Sequence, residues 1–195
     1  MRRICVFCGS NAGVRNEYAE AARALAAVLV ERKLGIVYGG GNVGLMGVLA
    51  DAALGRGGEV IGVIPELLVA KEVAHHGVTE LRIVQTMHER KALMNDLSDA
   101  FIALPGGFGT LDEFFEVLTW SQLGFHAKPC GLLNVSGFHD NLLAMLDHAV
   151  AERFLRPAHR ELVIADTDPS RLMQRLSAFS PVPKGKWDDA KGNFL

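Results

Sequence analysis

Short apolar runs separated by longer stretches of helical periodicity recur along the whole chain, and this alternation predicts its architecture. The runs 4–8 (ICVFC), 35–38 (GIVY), 60–64 (VIGVI), 81–84 (LRIV), 99–104 (DAFIAL), 129–135 (PCGLLNV) and 162–165 (LVIA) are bounded by turn signals. Strands of a sheet covered on both faces have this pattern. Between them, 16–32, 45–57, 87–97, 111–123, 140–154 and 169–179 carry apolar residues at helical spacing. The stretch 65–77 has neither period and reads as a loop with a short helix over the carboxyl edge of the sheet. Seven alternations of strand and helix predict an α/β fold: a Rossmann-like, doubly wound, mostly parallel sheet of about seven strands, with helices on both faces and right-handed crossovers. Residues 1–180 read as one such nucleotide-binding domain. From Pro181 onward the sequence PVPKGKWDDAKGNFL turns polar and rich in Pro and Gly, so 181–195 reads as a tail, disordered or pinned by Trp187.

The chemistry gathers where glycines interrupt that pattern directly after a strand, because in such sheets ligands bind beyond the carboxyl ends of the strands. After the run 99–104 comes Pro105-Gly106-Gly107-Phe108-Gly109-Thr110, and then a helix. Glycines there permit positive φ and leave backbone amides bare in front of a helix N-terminus, which makes an anion site, most often for phosphate. No Gly-Lys-Ser/Thr follows, so the turn is not a Walker loop. The same Thr110 and Glu113 also have capping-box spacing, and on that reading they serve only to start the helix at Thr110.

A second turn, Gly39-Gly40-Gly41-Asn42-Val43-Gly44, follows the strand 35–38 and is another phosphate cradle, with Gly40, Gly41 and Gly44 as candidate contacts. Its glycines fit G-x-G-x-x-G, yet Glu59 begins the next strand and Glu66 follows Pro65, so no acid stands where a dinucleotide's ribose needs one. The third feature is MHERK, 87–91, opening a helix. Cations in a first turn oppose the helix dipole by ~0.3–1 kcal/mol each. Arg90 and Lys91 there fit either a solvated face or, better, an anion held beside that helix.

Composition narrows the function classes. A formal net charge of −2 and a pI near 6.4 argue against a nucleic-acid surface. The most apolar stretch, 21–30, is far shorter than a membrane span and is interrupted by Arg23; MRRICVFCGS has too few apolar residues for a signal peptide. Three cysteines, an odd number, point to a reducing compartment, and the expectation is a cytoplasmic protein. Cys5 and Cys8 have C-x-x-C spacing but lie inside the first apolar run, which argues against a redox pair. His75 and His76 read as solvated rather than metal-bound, and His88-Glu89 lacks the second histidine of a metalloprotease motif.

With GGGNVGLMG at 39–47, MHERK at 87–91 and PGGFGTLDE at 105–113 in this order, the chain resembles the LOG ("lonely guy") family of cytokinin riboside 5′-monophosphate phosphoribohydrolases over roughly residues 3–180. EVLTWSQLG and HAKPCGLLNV continue the likeness. The resemblance implies cytosolic homodimers, without metal or organic cofactor, that hydrolyse the N-glycosidic bond of a nucleoside 5′-monophosphate to free base and ribose 5-phosphate. It implies catalytic roles for Arg90 and Glu113. It implies substrate contacts from Glu72, Arg90, Lys91, the turn Gly107, Phe108, Gly109, Thr110, Leu111, Asp112 and Glu113, and from Thr119.

Breaking a ribosyl bond builds positive charge on the sugar, which a carboxylate can stabilise, or which it can relieve by taking a proton from the attacking water. Thr119 lies about 120° round a helix from Glu113, so one site can hardly use both from one subunit. The apolar FFEVLTWSQLGF then fits a helix at a dimer interface, with Thr119 serving the neighbouring site. Two other readings remain open: a nucleotide-binding carrier or regulator without chemistry, and an NAD-dependent oxidoreductase. The pattern assigns no wall to the base, so AMP and N6-prenylated adenine nucleotides stand undistinguished.

Overall fold

A computed structural model describes residues 1–69 and 73–180. Seven strands form one sheet: β1 (Arg3–Phe7), β2 (Gly35–Tyr38), β3 (Val60–Pro65), β4 (Glu80–Val84), β5 (Ala100–Ala103), β6 (Cys130–Leu133) and β7 (Val163–Asp166). Every pairing is parallel and the order is β4-β3-β2-β1-β5-β6-β7. The chain winds outward from β1 to β4, then crosses back to lay β5 against the other side of β1. The place where the winding reverses is thus the β1/β5 boundary, which opens a crevice at the strands' carboxyl ends.

The helices are α1 (Asn16–Glu31), α2 (Gly44–Leu54), α3 (Glu66–Val69), α4 (Met87–Asp96), α5 (Phe108–Gln122), α6 (Asp140–Ala151), α7 (Pro157–Arg160) and α8 (Pro169–Ser177). Successive strand residues point to opposite faces, and two cores result. On one face Ile4, Val6, Ile36, Tyr38 and Ile102 meet α1, α2 and α8. On the other, Cys5, Phe7, Val37, Phe101 and Leu132 meet α4, α5 and α6 through Met94, Phe114, Val117 and Leu146. Each fully buried large side chain contributes about 1.5–3 kcal/mol, which is why the central strands contain almost nothing polar. Strand β4 differs: it lies at the sheet edge, leaves Ile83 exposed and carries Glu80 and Arg82.

The doubly wound sheet expected from the pattern is present, and it is wholly parallel. Differences lie at element ends and in short pieces. The strand predicted over 129–135 stops at Leu133 and is followed by a tight turn at Val135–Gly137, in which Ser136 and Gly137 take positive φ. The helix predicted to reach 154 ends at Ala151, and Arg153 adopts a left-handed φ of 63°. Helix α7 has no long periodic stretch to announce it, only Pro157 at its first position. The tail 181–195, with Trp187, lies outside the described residues.

Backbone packing at the crevice depends on Gly44, the first residue of α2. Its φ is +57°, and a Cβ there would run into the Ser10 carbonyl group and the Asn11 nitrogen. The loop after β1 therefore rests directly on the start of α2, with Leu45 N–H donating to Gly9 O at 3.0 Å. Gly44→Ala combines left-handed strain with that overlap and should destabilise the fold by about 2–4 kcal/mol. In thermal unfolding this should lower the midpoint by roughly 5–15 °C; an unchanged midpoint would show that the loop after β1 yields freely.

Candidate active site

Helix α5 begins at Phe108, three residues earlier than the periodicity predicts, with Gly107 at its N-cap and no capping side chain. Gly107, Phe108, Gly109 and Thr110 thus supply the first-turn amides that have no intrahelical acceptor; the first i→i−4 bond runs from Leu111 N–H to Gly107 O at 3.1 Å. The capping-box reading of Thr110 and Glu113 does not hold. Thr110 is already inside the helix, buried against Gly106, and Glu113 lies just under a turn further in. A variant of that motif occurs at α4, where the Thr86 hydroxyl accepts from Glu89 N–H at 3.1 Å and the Glu89 carboxylate accepts at 2.9 Å from the N–H of Gln85, the residue before the cap.

Capping fixes the first turn of α4 and directs Arg90 under the ends of β2 and β3. Its Nε donates to Val63 O at 3.0 Å and its Nη2 to Gly39 O at 3.0 Å. Gly39 must lack a side chain, because a Cβ would coincide with the guanidinium. The remaining nitrogen, Nη1, faces Glu113 Oε1 at 3.5 Å, with both side chains about nine-tenths buried. Burial raises the Glu113 carboxyl above its ordinary range, and the Arg90 charge opposes the rise. Folding therefore favours protonated Glu113: the stability that the proton brings is fully present below the ordinary carboxylate range and is lost as pH rises through the raised value. An ionised Glu113 at neutral pH is held at a cost, as functional carboxylates often are.

These residues border a cleft of about 390 Å³ along the crevice. One side is the α5 turn, Gly107 to Thr110, with Glu113 behind it; the opposite side is apolar, from Val43, Met46, Leu68 and Val73. Arg90 and the β1 loop residues Cys8 to Ser10 also border it. Of the second glycine turn, Gly39 and Gly41 face the cleft. Gly40, at φ +72°, packs on β3 beside Ile64, and Gly44 packs on the β1 loop.

Other residues singled out from the sequence lie elsewhere. The Lys91 amine pairs with Glu116 at 3.0 Å and Asp112 at 3.3 Å on the flank of α5. Burial lowers its pKa, and the hydrogen bonds to Glu116 and Asp112 more than offset this, so the amine stays charged. The anions beside Arg90 and Lys91 are thus carboxylates of α5. Leu111 is half-buried and outside the cleft. Thr119 is exposed on the outer face of α5, its hydroxyl donating to Phe115 O at 2.7 Å. Glu72 lies outside the described residues. Cys5, Cys8 and Cys130 are free and buried, and burial pushes all three thiols up, which removes the thiolate that a redox pair would need. His75 is buried rather than solvated; its sequence neighbour His76 is exposed. Sequence reasoning missed Met46, Leu68 and Val73 in the cleft, since nothing local separates them from core residues.

Residues 46–176 match a family model described as "Possible lysine decarboxylase". A probable cytokinin riboside 5′-monophosphate phosphoribohydrolase of Oryza sativa subsp. japonica is 55% identical over 181 residues, spanning 93% of this chain and 80% of that protein. A cytokinin riboside 5′-monophosphate phosphoribohydrolase of Arabidopsis thaliana is 48% identical over 198 residues, spanning 99% of this chain and 93% of that protein. Among solved structures, the molybdenum cofactor binding protein of Rippkaea orientalis matches with a TM-score of 0.69 at 20% identity, over 91% of this chain and 97% of that one. The molybdenum cofactor carrier protein of Chlamydomonas reinhardtii matches with a TM-score of 0.68 at 20% identity, over 91% and 99%. At that identity these two share the fold.

If Arg90 restrains the Glu113 carboxyl, Arg90→Met should raise its titration midpoint further above the ordinary carboxylate range. Carbon-13 NMR of the Glu113 carboxyl, followed against pH in both proteins, reads this directly. A midpoint that falls in the variant would reverse the assigned direction.

Proposed function

Because this chain belongs to the LOG family of cytokinin riboside 5′-monophosphate phosphoribohydrolases, we propose that it hydrolyses the N-glycosidic bond of nucleoside 5′-monophosphates, releasing free base and ribose 5-phosphate. The observation that carries the reading is the buried pair of Arg90 and Glu113 set 3.5 Å apart beside the bare first-turn amides of α5. The 5′-phosphate rests on the amides of Gly107 to Thr110, where the helix dipole favours an anion. The ribose lies over the pair. As the bond to the base lengthens, positive charge grows at the anomeric carbon, and the Glu113 carboxylate stabilises it and takes a proton from the attacking water. Water's oxygen bonds to that carbon while the bonding electrons leave with the base, which collects a proton. Arg90, with Nε and Nη2 already spent on carbonyls, favours the ionised form of Glu113 against its burial and presents Nη1 to the sugar or the water.

The family model's description suggests a different chemistry, and the residues do not fit it. A decarboxylase working through pyridoxal phosphate needs a lysine amine free to form a Schiff base. The Lys91 amine is charged and held between two carboxylates. No metal or organic cofactor enters the proposed reaction.

Among the described residues no helix is long and apolar enough to cross a membrane. Free, buried thiols suit a reducing compartment, and we assign the protein to the cytoplasm. We assign it a homodimer, with the exposed face of α5 at the interface and Thr119 reaching the neighbouring cleft. Its support is that Thr119 and Glu113 point to different sides of one helix, with Phe115 and Trp120 only half-buried beside Thr119.

Two measurements test this reading. Purified protein incubated with a panel of nucleoside monophosphates, with and without N6 substituents, should release free base detectable by chromatography, and Glu113→Gln should slow release by roughly 10²- to 10⁴-fold with little change in melting temperature. Unaltered release by the variant would leave a nucleotide-binding site in which the carboxylate does no chemistry. Sedimentation should give twice the chain mass; a fully active monomer would remove Thr119 from any site.

A further inference from the structure

Beyond β3 the chain returns to the crevice as a segment that the reaction does not use. Residues 73–75 run antiparallel to the second glycine turn: Asn42 N–H donates to Val73 O at 2.7 Å, His75 N–H donates to Gly40 O at 2.8 Å, and Gly41 and Ala74 are bridged between them. This contact brings Val73 to the apolar side of the cleft, next to Leu68 and Met46. Two bonds alone make a marginal pairing, so something else must hold the segment in place.

His75 does this. Its ring is buried, Nδ1 accepts from Gly77 N–H at 3.1 Å, and Nε2 lies 2.9 Å from Asp51 Oδ1 on α2. A backbone N–H can only donate, so Nδ1 is the unprotonated nitrogen and Nε2–H donates to the carboxylate. The clasp ties 73–77 to the same helix that begins at the end of the glycine turn. Asp51 is itself largely exposed, its side chain at 70% of full accessibility, and carries no core packing.

The strand order gives this wall a purpose. Along the crevice the elements follow β3, β2, β1, β5, at about 4.8 Å per strand. The α5 amides stand over β5, and the Val73 side stands over β2 and β3, where Arg90 reaches Gly39 O and Val63 O and turns Nη1 toward Glu113 on α5. A phosphate bound at one end and a ribose over the pair leave the flat, uncharged base to meet Val43, Met46, Leu68 and Val73. We propose that the His75–Asp51 pair is a positioning device for base recognition, holding Val73 as the wall against which the nucleobase packs. This rests on the nucleotide reading of the cleft, and it adds a residue pair that touches neither phosphate, sugar nor water.

Asp51→Ala removes the acceptor, whereas Asp51→Asn keeps an oxygen in its place. Both are made in the full chain carrying Glu113→Gln, so that bound nucleotide is not consumed, and affinities for AMP and for ribose 5-phosphate are measured by calorimetry. Asp51→Ala should weaken AMP about five- to thirty-fold, part of the effect of one hydrogen bond to a charged group because the Asp51 end is exposed. Ribose 5-phosphate, which has no base, should bind as before, Asp51→Asn should stay near the parent, and melting temperatures should agree within a few degrees. An equal loss for both ligands, or no loss for AMP, overturns the proposal. In the wild-type background Asp51→Ala should raise KM and leave kcat within about two-fold, and a fall in kcat at unchanged KM also overturns it. Absence of base release by the wild type would strike at the hydrolase reading alone, because the calorimetric comparison needs no turnover.

Discussion

One buried cation organises the crevice. Arg90 reaches the carbonyls at the ends of two adjacent parallel strands, Gly39 O on the β2 side and Val63 O on β3, and offers its last nitrogen to Glu113. Taking a guanidinium out of water costs several kcal/mol, and a buried ion pair recovers this only when its other donors are also satisfied. Here they are satisfied by backbone groups that rigid strands hold in place. The same contacts dictate a glycine at 39, require the capped start of α4, and fix where the carboxylate on α5 can sit. Lys91, the next residue, pairs with Asp112 and Glu116 and ties the two helices together on the outside.

The site follows from topology as much as from these side chains. A parallel sheet that reverses its winding beside β1 leaves a gap at the strands' carboxyl ends, and the turn from β5 into α5 fills one side of it with unpaired amides. The opposite side is closed by a returning segment clasped to α2 through His75 and Asp51. The crevice is therefore lined by bare amides at one end and apolar at the other, with a carboxylate of raised pKa on its border. That gradient matches a molecule with a charged end, a sugar and a flat base. The molybdenum cofactor carrier and binding proteins share this fold, and one fold can host many functions, so what the crevice does rests on the side chains that line it.

Sequence alone determined the layers. Runs such as AFIA and GIVY, buried on both sides, and helices with one apolar stripe can be satisfied only by a covered parallel sheet, and local periodicity carries that information in full. It also marked the glycine turn before α5 and the odd placement of Arg90, because bare amides and cations in a first turn are features of a few consecutive residues. What tertiary structure decided were the partners. Thr110 had the spacing of a cap but is buried as a helical residue against Gly106, while the side chain that caps α4 is Thr86. Arg90 bonds to carbonyls 27 and 51 residues away, and His75 turned from a solvated loop residue into a clasp on a helix 24 residues back. A periodic pattern records whether a position is buried. Which group meets it depends on the order in which the crossovers lay the strands side by side, and that order is a property of the whole chain.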